Sequence, residues 1–202
     1  SASSSHSARP GAGAVATIVP SGPMRPSPSG VRAPSLPIQA RATGVVSENP
    51  EVVFRSIGQE VLICPTAMGG KDWEAGAYSP RTNAMYMPLR NACARMVPLD
   101  DGGRSLYSLG MRNELAPGTD QLGAVWGISA ETGETTWVYE QRAATMSLAA
   151  TGGGLVFGGD VNGRFRALDD ETGDVLWEVN LGSPVSGFPV TYAVEGRQYV
   201  VA

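Results

Sequence analysis

Two textures divide the chain. From Glu51 onward, short runs rich in Val, Leu, Tyr, Trp and Phe are separated by clusters of Gly, Pro, Asn and Asp about every ten residues, the pattern of strands between turns. The longest apolar stretches, such as Gly154 to Phe157 and Gln198 to Ala202, are strand-sized. Glycine interrupts every helical window before three turns are complete, so the pattern predicts an all-β body. From Ser1 to Pro50 neither a strand period nor a helix period is present, and Ser, Ala, Gly, Pro and Arg dominate. Such a composition buries too little apolar surface to offset its ordering entropy. The expected organisation is a low-complexity, disordered segment over residues 1–50 and a β body over residues 51–202.

Internal repetition sharpens this picture. Gly127 to Trp137 reads GISAETGETTW, and forty positions later Ala167 to Trp177 reads ALDDETGDVLW. A degraded third copy, AYSPRTNAMYM, covers Ala77 to Met87, with Asn83 for the glycine and Met87 for the tryptophan. Asn is the residue best able to share glycine's left-handed conformation. Each copy reads as strand, tight turn, strand: a Ser or Asp side chain caps the turn, and Thr132-Gly133 or Thr172-Gly173 closes it. One hairpin cannot bury its aromatic alone. Sheets stacked side by side can, and a period of about 40 to 50 residues suits the four-stranded blades of a propeller. Hiding an indole this way removes about 150–250 Å² from water, roughly 4–6 kcal/mol before entropy costs, which casts Trp137 and Trp177 as staples between blades.

Charge changes the picture in one respect. Residues 1–50 are basic, with Arg9, Arg25, Arg32 and Arg41 against Glu48, which leaves 11 of the 15 basic residues and 18 of the 19 acidic ones to the β body. An acidic body is not a nucleic-acid surface. No stretch approaches the roughly 20 apolar residues of a membrane helix. The chain begins at Ser1 with no charged n-region and apolar h-region, and stops at Val200-Val201-Ala202 inside an expected strand, so it reads as partial.

Several chemistries are excluded by residue type. His6 is the sole histidine and lies in the low-complexity segment, so neither a Ser-His-Asp nor a Cys-His machine can be assembled in the β body. There is no C-x-x-C-H for a c-type haem. The glycines from Gly152 to Gly159 meet Phe157 where G-x-G-x-x-G needs its last glycine. Asp160, Asn162 and Gly163 hint at a calcium loop, with Glu171 at its twelfth position, but strands flank it and a turn is the expected reading. Met85, Met87 and Met96 read as core filler. Cys64 and Cys93 are the only cysteines and form no paired zinc cluster, which leaves a disulfide or two buried thiols. Gly69-Gly70-Lys71-Asp72-Trp73 is the best ligand-contact candidate: the glycines let backbone approach a flat molecule, Asp72 offers a hydrogen-bonding group and Trp73 an aromatic body. The plainer alternative is a loop whose Trp73 fills a blade interface.

The pattern Ala-x-Asp-x-x-Thr-Gly-x-x-x-Trp, complete at Ala167, Asp169, Thr172, Gly173 and Trp177, resembles the tryptophan-docking motif of quinoprotein dehydrogenases; the copy ending at Trp137 departs from it at Gly127 and Ser129. CPTAMGGKDWEAGAYSPRTNAMYMP, from Cys64 to Pro88, resembles the segment that lines the cofactor chamber in the pyrroloquinoline quinone (PQQ)-dependent alcohol and methanol dehydrogenases, and TGGGLVFGGDVNGRFRALD, from Thr151 to Asp169, resembles the strand pair that follows. The resemblance covers about Pro50 to Ala202.

The resemblance implies three to four blades of an eight-bladed propeller. It also implies a Cys64–Cys93 disulfide, and with it a periplasmic location. The position of Asp72 would lie beside the PQQ, with Gly70, Lys71 and Trp73 as the neighbouring candidate contacts, and the parent reaction would oxidise an alcohol to an aldehyde or ketone, with cytochrome c as electron acceptor. Calcium or a lanthanide would accompany the PQQ, but its ligands and the catalytic base belong to earlier blades in this family, so no catalytic or metal residue is assigned here. Some methanol-oxidising relatives carry a tryptophan just before the strand Leu148 to Ala150, where this chain has Thr145, Met146 and Ser147. The competing reading is a noncatalytic propeller with the same docking motif, such as a scaffold in outer-membrane protein assembly.

Overall fold

The computed structural model describes Val15, Ala16, residues 50–102, Arg104 and residues 108–202. The expectation of disorder over residues 1–50 lies outside the described residues, except for Pro50 and a two-residue strand, β1 (Val15–Ala16). One 3-10 turn at Pro50–Val52 precedes β2 (Val61–Ile63), β3 (Ala77–Ser79), β4 (Ala84–Arg90), β5 (Ala92–Pro98), β6 (Leu109–Leu115), β7 (Gly123–Ser129) and β8 (Thr135–Gln141). There follow β9 (Thr145–Ala150), β10 (Leu155–Asp160), β11 (Arg164–Asp169), β12 (Val175–Asn180), β13 (Val190–Val194) and β14 (Arg197–Val201). No α-helix occurs among the described residues.

Two four-stranded antiparallel sheets, β3-β4-β7-β8 and β9-β10-β11-β12, stand next to each other in the chain, and the β13–β14 hairpin, with β1 on its edge, opens a third. A separate three-stranded sheet, β2-β5-β6, joins β2, which precedes the first sheet, to a β5–β6 hairpin inserted between β4 and β7. Asn91 closes the neck of that insertion: its N–H donates to Leu122 O at 2.8 Å, and its carbonyl accepts from Ala116 N at 2.9 Å. β4 and β7 consequently pair over their full length, from Ala84 with Ser129 to Arg90 with Gly123, as though the hairpin between them were absent.

The second sheet is buried on both faces, which is what a propeller demands of an interior blade. Leu148, Val156 and Leu168 pack against Ala84, Tyr86, Val125 and Trp137 of the first sheet. Phe157, Phe165 and Ala167 point the other way and pack against Val185 and Val200 on the side of the third. Alternation along β10 and β11 supplies both cores at once, since neighbouring side chains leave opposite faces of a strand.

All three sequence copies are hairpins, and Asn83, Gly133 and Gly173 share positive φ values of 49°, 73° and 77°. They do not occupy equivalent places. Gly127–Trp137 and Ala167–Trp177 are the last hairpins of their sheets, β7–β8 and β11–β12, whereas Ala77–Met87 is the first hairpin of its sheet, β3–β4. The third copy repeats turn chemistry rather than a blade position.

Candidate functional site

The joint between the first two sheets is centred on Asp170. Trp137, buried on β8, stacks on Tyr86 with ring centroids 5.4 Å apart at 22°. Its Nε1 donates to the Asp170 carbonyl at 3.1 Å, and the Tyr86 hydroxyl donates to the same oxygen at 2.8 Å. With the tyrosine proton so committed, Thr82 Oγ1, 2.6 Å away, is the donor to Tyr86 Oη. The buried Asp170 carboxylate accepts from Ser79 Oγ at 3.2 Å and forms an ion pair with Arg81, whose Nη1 also reaches Glu171 at 2.7 Å. Burial raises the Tyr86 hydroxyl above its ordinary pKa. Hydrogen bonds, first to Asp170 and then to Glu171, raise the Arg81 guanidinium likewise.

The turns that present this joint are built alike. Asp169 Oδ1 accepts from the backbone of Glu171 at 2.8 Å and Thr172 at 3.0 Å, and Ser129 Oγ accepts from Thr132 N at 3.2 Å. Gly173 lies against the Trp137 indole so closely that a Cβ there would stand 2.5 Å from Cε3. Gly127, the departure from the Ala167 of the full motif, pairs across the ladder with Trp137, and a Cβ on it would meet the ring at 2.7 Å. Trp177, paired with Ala167, is half-buried and meets Phe165 edge-on at 6.4 Å, on the face toward the third sheet.

The segment between β2 and β3 carries Gly70, Lys71, Asp72 and Trp73. It starts at Cys64, bonded to Cys93 on β5, and Thr66 N donates to Ala92 O at 3.1 Å. It ends at Ala75, whose N–H donates to Ser147 Oγ at 3.0 Å and whose carbonyl accepts from Leu148 N at 2.9 Å, so the first strands of the two sheets, β3 and β9, lie together. Ser147 is fully buried, and its hydroxyl is committed to this segment through that hydrogen bond. Lys71 Nζ turns back onto the carbonyls of Asp72, at 2.7 Å, and Glu74, which leaves its ammonium occupied within the loop. Asp72 is half-buried, and its carboxylate makes no hydrogen bond among the described residues. Trp73 is 49% exposed and edge-on to Phe188, 6.1 Å away, from the segment leading into β13. The loop thus sits where the chain enters successive sheets, with an unengaged acceptor and an open aromatic side by side.

Two features missed in the sequence complete the loop. Glu74 is buried and paired with Arg90 on β4, and Arg90 N donates to Gly70 O at 2.8 Å. Elsewhere, the Asp160 loop is a turn: Asp160 Oδ1 accepts from Asn162 N at 2.8 Å and Arg164 N at 3.1 Å, while Oδ2 pairs with the buried Arg166 at 2.9 Å. No group of metal-ligating side chains occurs among the described residues. A cavity between the first two sheets, lined by Tyr139, Gln141, Thr145 and Arg166, holds about 10 Å³, which is room for one water at most and none for a cofactor. No helix among the described residues is long and apolar enough to cross a membrane.

Successive four-stranded sheets, joined by a tryptophan lying on the neighbour's Thr-Gly turn, define a tryptophan-docked β-propeller. Residues 127–200 match the family described as PQQ: glucose/ethanol/alcohol dehydrogenase, beta-propeller domain. The chain is 34% identical over 149 residues to the lanthanide-dependent methanol dehydrogenase of Methylacidiphilum fumariolicum (strain SolV), covering 68% of this chain and 24% of that protein. It is 31% identical over 167 residues to methanol dehydrogenase [cytochrome c] subunit 1 of Methylorubrum extorquens, covering 78% of this chain and 27% of that one. The solved structure of a europium-containing methanol dehydrogenase superposes with a TM-score of 0.72 at 30% identity, over 79% of this chain and 29% of that structure. The chain belongs to the PQQ-dependent alcohol dehydrogenase family. It spans about a quarter of the length of the curated relatives it matches.

Proposed function

We propose that this chain forms one wall of the cofactor chamber of a PQQ-dependent dehydrogenase that oxidises an alcohol to an aldehyde or ketone and delivers the electrons to a cytochrome c. The observation that carries the reading is the Gly69–Glu74 loop, held at both ends and presenting a half-buried carboxylate with no hydrogen-bond partner among the described residues beside a half-exposed indole. Those residues fit a planar, hydrogen-bonding ligand: Gly70 leaves the backbone accessible, Asp72 supplies an acceptor, and Trp73 an apolar face. Lys71, engaged with loop carbonyls, serves the shape of the wall more than direct contact. Bound PQQ, with calcium or a lanthanide, supplies the two-electron acceptor. The chain's own contribution is to place Asp72 and Trp73 and to keep the wall rigid.

Relatives bearing the names methanol dehydrogenase [cytochrome c] and lanthanide-dependent methanol dehydrogenase support the alcohol, the acceptor and the cation. The Cys64–Cys93 disulfide supports a periplasmic location, since such bonds persist in oxidising compartments.

The 202-residue chain, supplied with PQQ and calcium, is expected to show negligible dye-linked alcohol oxidation, because the metal ligands and the base are assigned to other blades. The longer enzyme carrying this segment is expected to turn over only with PQQ and cation present. Robust oxidation by the chain alone would overturn the assignment of the missing groups. Failure of the longer protein to take up PQQ would overturn the function and favour a noncatalytic propeller.

A further inference from the structure

Between its anchors, the loop that carries Asp72 and Trp73 has no regular secondary structure, so something must fix where those two side chains stand. One residue of β4 holds it twice. Arg90 N donates to the Gly70 carbonyl at 2.8 Å, ahead of Asp72, and the Arg90 guanidinium pairs through Nη2 with the Glu74 carboxylate, just beyond Trp73. Glu74 is 2% exposed, and the Arg90 side chain 22%. Arg90 Nε is buried with no hydrogen-bond partner, so Glu74 is the group that balances this cation. Lys71 Nζ bonds the carbonyl of the same Glu74, and Ser147 Oγ takes the N–H of the residue after it. Glu74 is therefore the point at which the strand β4, the loop's own lysine and the second sheet all converge.

We infer that Glu74 and Arg90 are positioning residues for the PQQ-facing wall: their buried ion pair sets the placement of Asp72 and Trp73 and touches no ligand itself. The inference rests on the reading of this loop as a cofactor wall. A buried ion pair is weak evidence for net stability but strong geometric constraint, because removing one partner strands the other. Precise ligand placement depends on such supporting contacts.

The test uses Glu74→Ala and Glu74→Gln, with Arg166→Lys as a control at a buried ion pair outside the loop. In the longer enzyme, Glu74→Ala is expected to weaken PQQ binding, measured by titrating apoenzyme against PQQ absorbance, by about tenfold or more, since small misplacements of a site are costly. Glu74→Gln, which keeps an acceptor, is expected to recover part of that loss, and Arg166→Lys to leave PQQ affinity unchanged even where it lowers the melting temperature. In the 202-residue chain, hydrogen exchange of the Lys71–Ala75 amides is expected to speed up in Glu74→Ala and not in the control. If Glu74→Ala folds, binds PQQ within twofold of the parent and leaves that exchange unchanged, the inference is wrong while the cofactor reading stands. If the parent enzyme takes up no PQQ, the cofactor reading falls, and this inference with it.

Discussion

Gly133 and Gly173 occupy matching turn positions with nearly the same backbone, φ 73° and 77°, yet only one of them touches a neighbouring sheet. Replacing either with alanine forces a left-handed L-residue, at about 1–2 kcal/mol. At Gly133 nothing lies within 4 Å of the new Cβ, so that is the whole cost. At Gly173 the Cβ would stand 2.5 Å from Cε3 and 2.8 Å from Cδ2 of Trp137, a ring already stacked on Tyr86 and hydrogen-bonded to Asp170. Overpacking of this kind adds about 1–3 kcal/mol, so Gly173→Ala is expected to cost about 2–5 kcal/mol in total. Equilibrium urea unfolding of the 202-residue chain, followed by tryptophan fluorescence, compares the two. In a Trp137→Ala background, where the indole is gone, Gly173→Ala is expected to fall to the cost of Gly133→Ala, a non-additivity that isolates the contact. Equal costs for the two glycines in the parent chain would refute the docking of Trp137 on the Asp169–Gly173 turn.

Reducing the Cys64–Cys93 bond, which spans 29 positions, is expected to cost about 3.5 kcal/mol by chain entropy and to lower the thermal midpoint in the presence of reductant; an unchanged midpoint would contradict it. The Tyr86 hydroxyl is raised above its ordinary value of 10 by burial, so the folded chain keeps a proton that the unfolded chain releases. Its contribution is full below pH 10 and is lost as pH rises through the folded value, and Tyr86→Phe is expected to flatten that part of the stability–pH curve, leaving the share of Tyr139, which burial raises in the same direction. Calcium addition or chelation is expected to leave the melting temperature of the 202-residue chain unchanged, because the Asp160 carboxylate is taken by Arg166 and two backbone N–H groups; a calcium-dependent rise would show a site in that turn.

What could be read from the chain follows what is local. Thr132-Gly133 and Thr172-Gly173 announce hairpins because closing a turn needs a capping side chain and a left-handed residue in adjacent positions, and Asn83 betrays the same geometry without glycine. The forty-residue spacing announced stacked sheets. The β5–β6 excursion was not legible, since β4 and β7 pair across it in a register that no short window records. The same turn chemistry at Ala77–Met87 consequently looks like another blade repeat in the sequence, whereas it closes the first hairpin of a sheet. Asp170, with partners such as Ser79, Arg81 and Tyr86 that are 84 to 91 positions away, leaves no periodic trace, nor does the Glu74–Arg90 pair, formed by two charges that each read as surface residues in isolation. For the loop itself, the chemistry of Asp72 and Trp73 was visible in residue type, whereas the inward turn of Lys71 depended on carbonyls whose direction only the fold decides.

A crystal structure of the longer enzyme with PQQ and its cation bound is the most direct measurement. The account predicts the Asp72 side chain within hydrogen-bonding distance of the quinone cofactor, with Trp73 along the same wall. PQQ seated away from the Gly69–Glu74 loop, with Asp72 facing only solvent or protein, would contradict it.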